Sequence, residues 1–178
     1  MGIPTLIGSA HTASNAASID ITSGIDSTYD EYMFVMTNIN PATDNAVLQC
    51  QFNAAGGSGF NETMTTTQFR AYHTESGATT AFNYRDADDQ AQGTSKQSLS
   101  NEYSNATDSG GGGILHLFSP SNTTYVKHFY STVTFDNNAV HIVCYTAGYI
   151  NTTAAIDEIQ FIFSAGNLDG VIQMYGIA

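Results

Sequence analysis

Three carboxylates crowd one short stretch of this chain. Asp86, Asp88 and Asp89 lie in DADDQAQ (86–92), an arrangement that resembles the start of a calcium-binding loop. Such a loop needs Gly at its sixth place for the sharp turn and a bidentate Glu at its twelfth. Those places hold Ala91 and Gln97, so the stretch reads as a solvated acidic turn with a short helical twist. The histidines His11, His73, His116, His128 and His141 fall in separate segments. His128 and His141 are placed to face each other across a hairpin predicted over Val126–Ile150. A metal site would need a third ligand, and none is identified. They read as histidines on strand surfaces, and no metal is expected.

Other chemistry is equally thin. The Gly-rich stretches Gly56–Gly59 and Gly110–Gly113 do not lead into a helix N-terminus, which phosphate cradling requires. HExxH, GxSxG, Walker and paired CxxC patterns are absent from the sequence. The expectation is a protein that is not an enzyme and binds no cofactor. Cys50 alternates with Leu48 and Phe52, and Cys144 lies in a similar strand, so both read as small core residues; a disulfide between them stays open, though a reducing cytosol disfavours it. Asn-x-Thr triplets start at Asn61, Asn105, Asn122 and Asn151, as chance allows in so Asn- and Thr-rich a chain. What remains is tyrosine. Tyr72, Tyr84, Tyr103, Tyr125 and Tyr149 lie near strand ends or in loops. Tyr is favoured at protein interfaces, and beside Asn and Asp it also suits sugar-binding surfaces.

Composition narrows the classes further. At 178 residues the chain is expected to form one domain, 17–178, preceded by an N-terminal arm, 1–16. Hydrophobic residues at 42% argue against disorder, while charged residues at 11% fall far below the usual ~25%. Solubility then rests on Ser, Thr, Asn, Gln and Gly, a surface suited to a packed assembly. The net charge is −12, with only Arg70, Arg85, Lys96 and Lys127 positive. Four cations cannot track a phosphate backbone, so neither nucleic acid nor an anionic membrane is an expected partner. No apolar run approaches the ~18 residues of a membrane span. The start, MGIPTLIGSAH, lacks the pattern of a signal peptide and of a myristoylation site.

The elements that must position these residues are strands. Period-two alternation puts one set of side chains on a buried face. It runs through Ala17–Thr22, Tyr29–Ile39, Ala46–Asn53, Thr66–Thr74, Ile114–Ser119, Val126–Phe135 and Val140–Ile150. NPATDN (40–45) reads as a turn closing a hairpin over Tyr29–Asn53, and DNNA (136–139) as another. The final stretch, DEIQFIFSAGNLDGVIQMYGI, predicts a terminal hairpin of Asp157–Phe163 and Gly170–Ile177, held by Ile159, Phe161, Phe163, Tyr175 and Ile177. About nine strands, spaced roughly eight to twelve residues apart, define an all-β fold. The predicted architecture is a jelly-roll-like antiparallel β-sandwich of about eight to nine strands. Glu75–Gly112 is the least readable part. It is predicted as a long loop whose Phe82, Tyr84 and Tyr103 anchor a contact with a partner.

Several of these blocks carry a resemblance. SAGN (164–167), Gly170 and the closing MYGI (174–177) resemble the C-terminal signature of a family of small phage virion proteins. Ser18–Asn53 resembles the same family through Ser23–Ile25, through Tyr29, Asp30 and Tyr32, and through Asn38, Ile39 and Pro41. Gly113–Ser121 resembles its middle block. The similarity touches about two thirds of the chain, and the blocks are structural rather than catalytic. The resemblance implies a virion location and a decoration or cement protein on the capsid exterior. Its partners would be itself, as a homotrimer, and other virion proteins such as the major capsid protein. It equally allows a tail-fibre or tail-tip module that contacts host surface glycans.

Overall fold

The computed structural model describes residues 2–178. Thirteen strands form, in order β1 (Thr5–Ala16), β2 (Ile19–Ile21), β3 (Glu31–Pro41), β4 (Ala46–Ala54), β5 (Met64–Thr74), β6 (Thr80–Tyr84), β7 (Ala91–Gly93), β8 (Gln97–Tyr103), β9 (Gly111–Phe118), β10 (Lys127–Asp136), β11 (Val140–Ile150), β12 (Ile156–Phe163) and β13 (Leu168–Ile177). One 3₁₀ turn, Asp86–Asp88, is the sole helical element among the described residues. All pairings are antiparallel, in two sheets. The larger runs β1-β13-β3-β9-β10-β11-β5-β6, with β7 also on β5, and the smaller β2-β12-β4-β8.

The pairing is that of a jelly roll, eight strands in two nested Greek keys. Number β1, β2, β3, β4, β8, β9, β12 and β13 from one to eight. The sheets then read 1-8-3-6 and 2-7-4-5. The remaining strands are two insertions, β5–β7 and β10–β11, that widen the larger sheet beyond β9.

This topology corrects two predicted hairpins. β12 and β13 lie in different sheets, as do β3 and β4. Alternation reports which face of a strand is buried, not which strand lies beside it. Both connections are corners that carry the chain from one sheet to the other. The corners meet, with Ala42 N–H donating to the Asn167 carbonyl at 2.8 Å. The N-terminal arm is also corrected: Thr5–Ala16 is the edge strand β1, paired with β13. Its register breaks between Ile7 and His11 and again between Ala13 and Ala16. A strand so interrupted, and mostly exposed, leaves no alternation to read. Val126–Ile150 is a hairpin as predicted, but His128 lies opposite Tyr149 and His141 opposite Asp136.

The core fills the space between the sheets. Phe34 of β3 meets Phe161 of β12 at 5.8 Å between ring centres, and Phe52 of β4 meets Phe129 of β10 at 5.1 Å. Ile159, Phe161 and Phe163 are buried here. Each such ring stabilises the fold by about 1.5–3 kcal/mol on burial. Cys50 and Cys144 are free thiols inside the core. Burial raises the pKa of both, Cys144 to about 12, so neither is a nucleophile near neutral pH.

Glu75–Gly112, predicted as a loop, contains β6, the 3₁₀ turn, β7 and β8. Leu99 and Tyr103 anchor it in the core, and buried amides hold the rest. Gln68 Nε2 donates to the Ser98 carbonyl at 2.7 Å and to Thr146 Oγ1 at 3.0 Å. Thr66 Oγ1 donates to Gln97 Oε1 at 2.6 Å. Gln51 Nε2 reaches the carbonyls of Glu62, Thr94 and Ser95. These Gln side chains are fully buried, and buried amides need such partners. No helix is long and apolar enough to cross a membrane among the described residues.

Candidate binding face

The smaller sheet packs on the inner face of the larger one, and no described strand covers the outer face. Alternation along each strand decides what stands there. On β10 the buried series is Lys127, Phe129, Ser131, Val133 and Phe135, which turns His128, Tyr130, Thr132 and Thr134 outward. On β11 the outward series is His141, Val143, Tyr145, Ala147 and Tyr149. β5 contributes Thr65, Thr67, Phe69, Ala71 and His73. Cross-strand register then aligns them in rows. Tyr130, Ala147 and Thr67 form one row; Thr132, Tyr145, Phe69 and Tyr84 form the next.

The aromatic side chains brace one another. Tyr130 stacks on His116 at 4.7 Å between centres. The His116 ring bonds Glu31 through Nδ1. Phe69 stacks on Tyr145 at 5.0 Å and meets Phe82 at 5.2 Å. Exposure remains high all the same: Phe82 is 69% exposed, Tyr84 60%, Tyr130 42% and Tyr145 41%. Contiguous apolar surface of this kind marks an interaction site.

Charge is nearly absent from the face. Arg70 and Lys127 belong to the inward series of their strands, so no cation stands on the outer face of β5, β10 or β11. Its carboxylates are engaged. Glu31 bonds His116, Asp169 accepts from Asn15 N–H at 2.6 Å, and Asp136 accepts from Ser109 Oγ at 2.7 Å and Gly110 N–H at 3.0 Å.

Of the three residues predicted as contact anchors, Phe82 and Tyr84 stand together on this face. Tyr103 does not. It is fully buried, stacks on Phe135 at 4.3 Å and meets Phe163 edge-on at 5.3 Å. Its position in β8, an element hidden by the polar sequence around it, explains the difference. Of the five terminal residues, Tyr175 and Ile177 lie on the outer face of β13, half-buried, away from the core. Phe69, Tyr130 and Tyr145 were missed as a group. The alternating runs around each carry the signal, but only the strand order joins them.

Two carboxylates of the acidic triplet hold neighbouring chain in place. Asp88 pairs with Arg85 at 2.8 Å and accepts from Asn101 Nδ2 at 3.1 Å. Asp89 caps Gln68 N–H at 2.7 Å and accepts from the Tyr84 hydroxyl. His73 and His141 face each other across β5 and β11. No group of three metal-ligating side chains occurs among the described residues. A polar cleft of about 910 Å³ lies near Asn38, Asn40, Asp108 and His141.

Comparison with known proteins adds little. No family model matches the chain, and no curated protein matches it. A solved structure from Bacteroides ovatus, described as a structural-genomics protein of unknown function, aligns with 58% of this chain and 45% of its own. Its identity is 9% and its TM-score 0.32, too low to bear on fold or role.

Proposed function

We propose that this chain is a phage virion structural protein, mounted on the capsid exterior as a decoration or cement subunit and without enzymatic activity. The reading rests on the resemblance of its Ser-Ala-Gly-Asn and Met-Tyr-Gly-Ile blocks to small virion proteins. One structural observation supports it: a broad outer sheet face that is aromatic, nearly uncharged and uncovered by its own fold. Such a face meets a neighbour without desolvating charges. The partners are further copies, as a homotrimer, and the major capsid protein. A second reading, a tail-fibre or tail-tip module that contacts host glycans, is favoured by the exposed Tyr130 and Tyr145 on the same face.

Quantitative mass spectrometry of purified particles separates these readings. Hundreds of copies per particle support the capsid reading. A handful supports the tail reading. Absence from particles overturns both.

A further inference from the structure

A hollow opens on the outer face where two small residues interrupt the aromatic surface. Tyr145, Ala147 and Tyr149 alternate along β11, and Thr65, Thr67 and Phe69 along β5. Ala147 and Thr67 are register partners and form the floor. Tyr130 closes one end, and Tyr145 stacked on Phe69 forms a side wall. The volume is about 190 Å³, with Thr67, Phe69, Tyr130, Tyr145 and Ala147 in the lining. That is below the ~300 Å³ of pockets that enclose a whole drug-sized ligand, so it accepts a single ring and leaves the rest outside.

The rim is polar. Thr67 Oγ1 donates to the Tyr84 hydroxyl at 3.2 Å, and that hydroxyl donates to Asp89. On another side Gln92 Nε2 donates to the Tyr149 hydroxyl at 3.1 Å. The outward side chains of the lining itself are apolar and aromatic apart from Thr67, and the Tyr84 and Tyr149 hydroxyls lie beyond it, on β6 and β11. A pyranose ring has the complementary chemistry, with C–H groups on its faces and hydroxyl groups around its edge. No cation lines the hollow, so an acidic sugar gains no counter-charge there, while the Thr67 hydroxyl is a polar contact for a neutral ring's hydroxyl groups. The mutual stacking of Tyr130, Tyr145 and their neighbours fixes the rings beforehand, which lowers the ordering cost of binding.

We propose that this hollow binds one ring of a neutral glycan. The assignment rests on the tail reading, which leaves the outer face free of a second copy. The protein is titrated with maltohexaose, cellohexaose, mannohexaose and chitohexaose, with polygalacturonate as the anionic control, and followed by NMR of the tyrosine rings. At least one neutral oligosaccharide is expected to bind saturably at millimolar affinity, shifting Tyr130 and Tyr145, while polygalacturonate does not bind. Tyr145→Ala weakens binding about tenfold. Ala147→Leu fills the floor and abolishes binding with the melting temperature unchanged; Thr67→Leu repeats the test should the first variant fold poorly. The proposal is overturned if no neutral member binds, if binding survives both filled floors, or if only the anion binds. The titrations are run at low salt, where like charge holds copies apart, and the proposal is also overturned if rising protein concentration alone shifts Tyr130 there, since a second copy then occupies the hollow. None of these outcomes depends on the copy number per particle.

Discussion

At the scale of single residues, Tyr103 and Phe82 make the clearest contrast. Both are aromatic residues of one polar segment, yet the first is fully buried and the second 69% exposed. Tyr103→Ala removes a ring stacked on Phe135 and edge-on to Phe163 and is expected to cost about 3–5 kcal/mol in chemical denaturation. The Tyr103 hydroxyl has no hydrogen-bond partner, so Tyr103→Phe is expected to leave stability unchanged or raise it. Phe82→Ala is expected to leave the melting temperature unaltered while weakening contacts made through the outer face. A Tyr103→Ala variant as stable as the parent would move that ring out of the core. Asp157 offers a test of charge. Its Oδ1 is buried without a partner, and desolvation first, then the Glu158 charge, raise its pKa above 3.8. The folded chain therefore keeps this proton over a pH range in which the unfolded chain has lost it. Stability from this group falls as pH rises through that range. Asp157→Asn is expected to raise the melting temperature at pH 7 and to change it little at pH 3, as scanning calorimetry at the two pH values reports.

At the scale of elements, β13 decides whether the larger sheet exists. It lies between β1 and β3, so deleting Gly170–Ala178 exposes two strand edges at once. Loss of soluble, monomeric protein is the expected outcome; a truncated chain with an unchanged melting temperature refutes it. A milder probe is Gly170→Ala. Gly170 has φ +142 at a bulge, and an added Cβ would come within 2.6 Å of Ile39 Cδ1 and 3.0 Å of the Asn38 carbonyl. The substitution is expected to cost about 1–3 kcal/mol in a urea unfolding series. These same elements mark how far the sequence could be read. Ile159, Phe161 and Phe163 alternate plainly, and their burial was legible in the sequence. Their partners were not, because a corner between sheets and a hairpin turn use the same Gly, Asn and Asp residues. β8 was invisible for another reason. Gln97, Ser100 and Asn101 are buried through hydrogen bonds, so their polarity imitates a loop. The binding face lay between these limits: Phe69, Tyr130 and Tyr145 could each be placed on a strand, but Phe82 and Tyr84 fell in a predicted loop, and the grouping depends on β5 joining β11 through an insertion.

At the scale of the whole molecule, charge and shape act in opposite directions. The chain carries −12 with only four cations, and most of those cations are engaged internally. Arg85 pairs with Asp88, Arg70 donates to Asn101 at 3.0 Å, and Lys127 reaches the Thr152 carbonyl at 3.2 Å from a buried position. The field outside the molecule is therefore that of largely uncompensated carboxylates, and copies repel at long range. The outer sheet face has its few carboxylates bonded, so attraction there is short-range and apolar. Salt separates the two terms. It screens exposed charges over about 10 Å at 0.1 M and about 3 Å at 1 M, while apolar contact is not weakened. Self-association of the isolated protein is therefore expected to strengthen steadily with sodium chloride in sedimentation equilibrium. Phe82→Ala and Tyr84→Ala should reduce it at every salt concentration, because they remove the attractive term rather than the repulsive one. If association does not respond to salt, charge does not limit assembly. If it responds to salt but not to these two variants, copies meet through a surface other than this face.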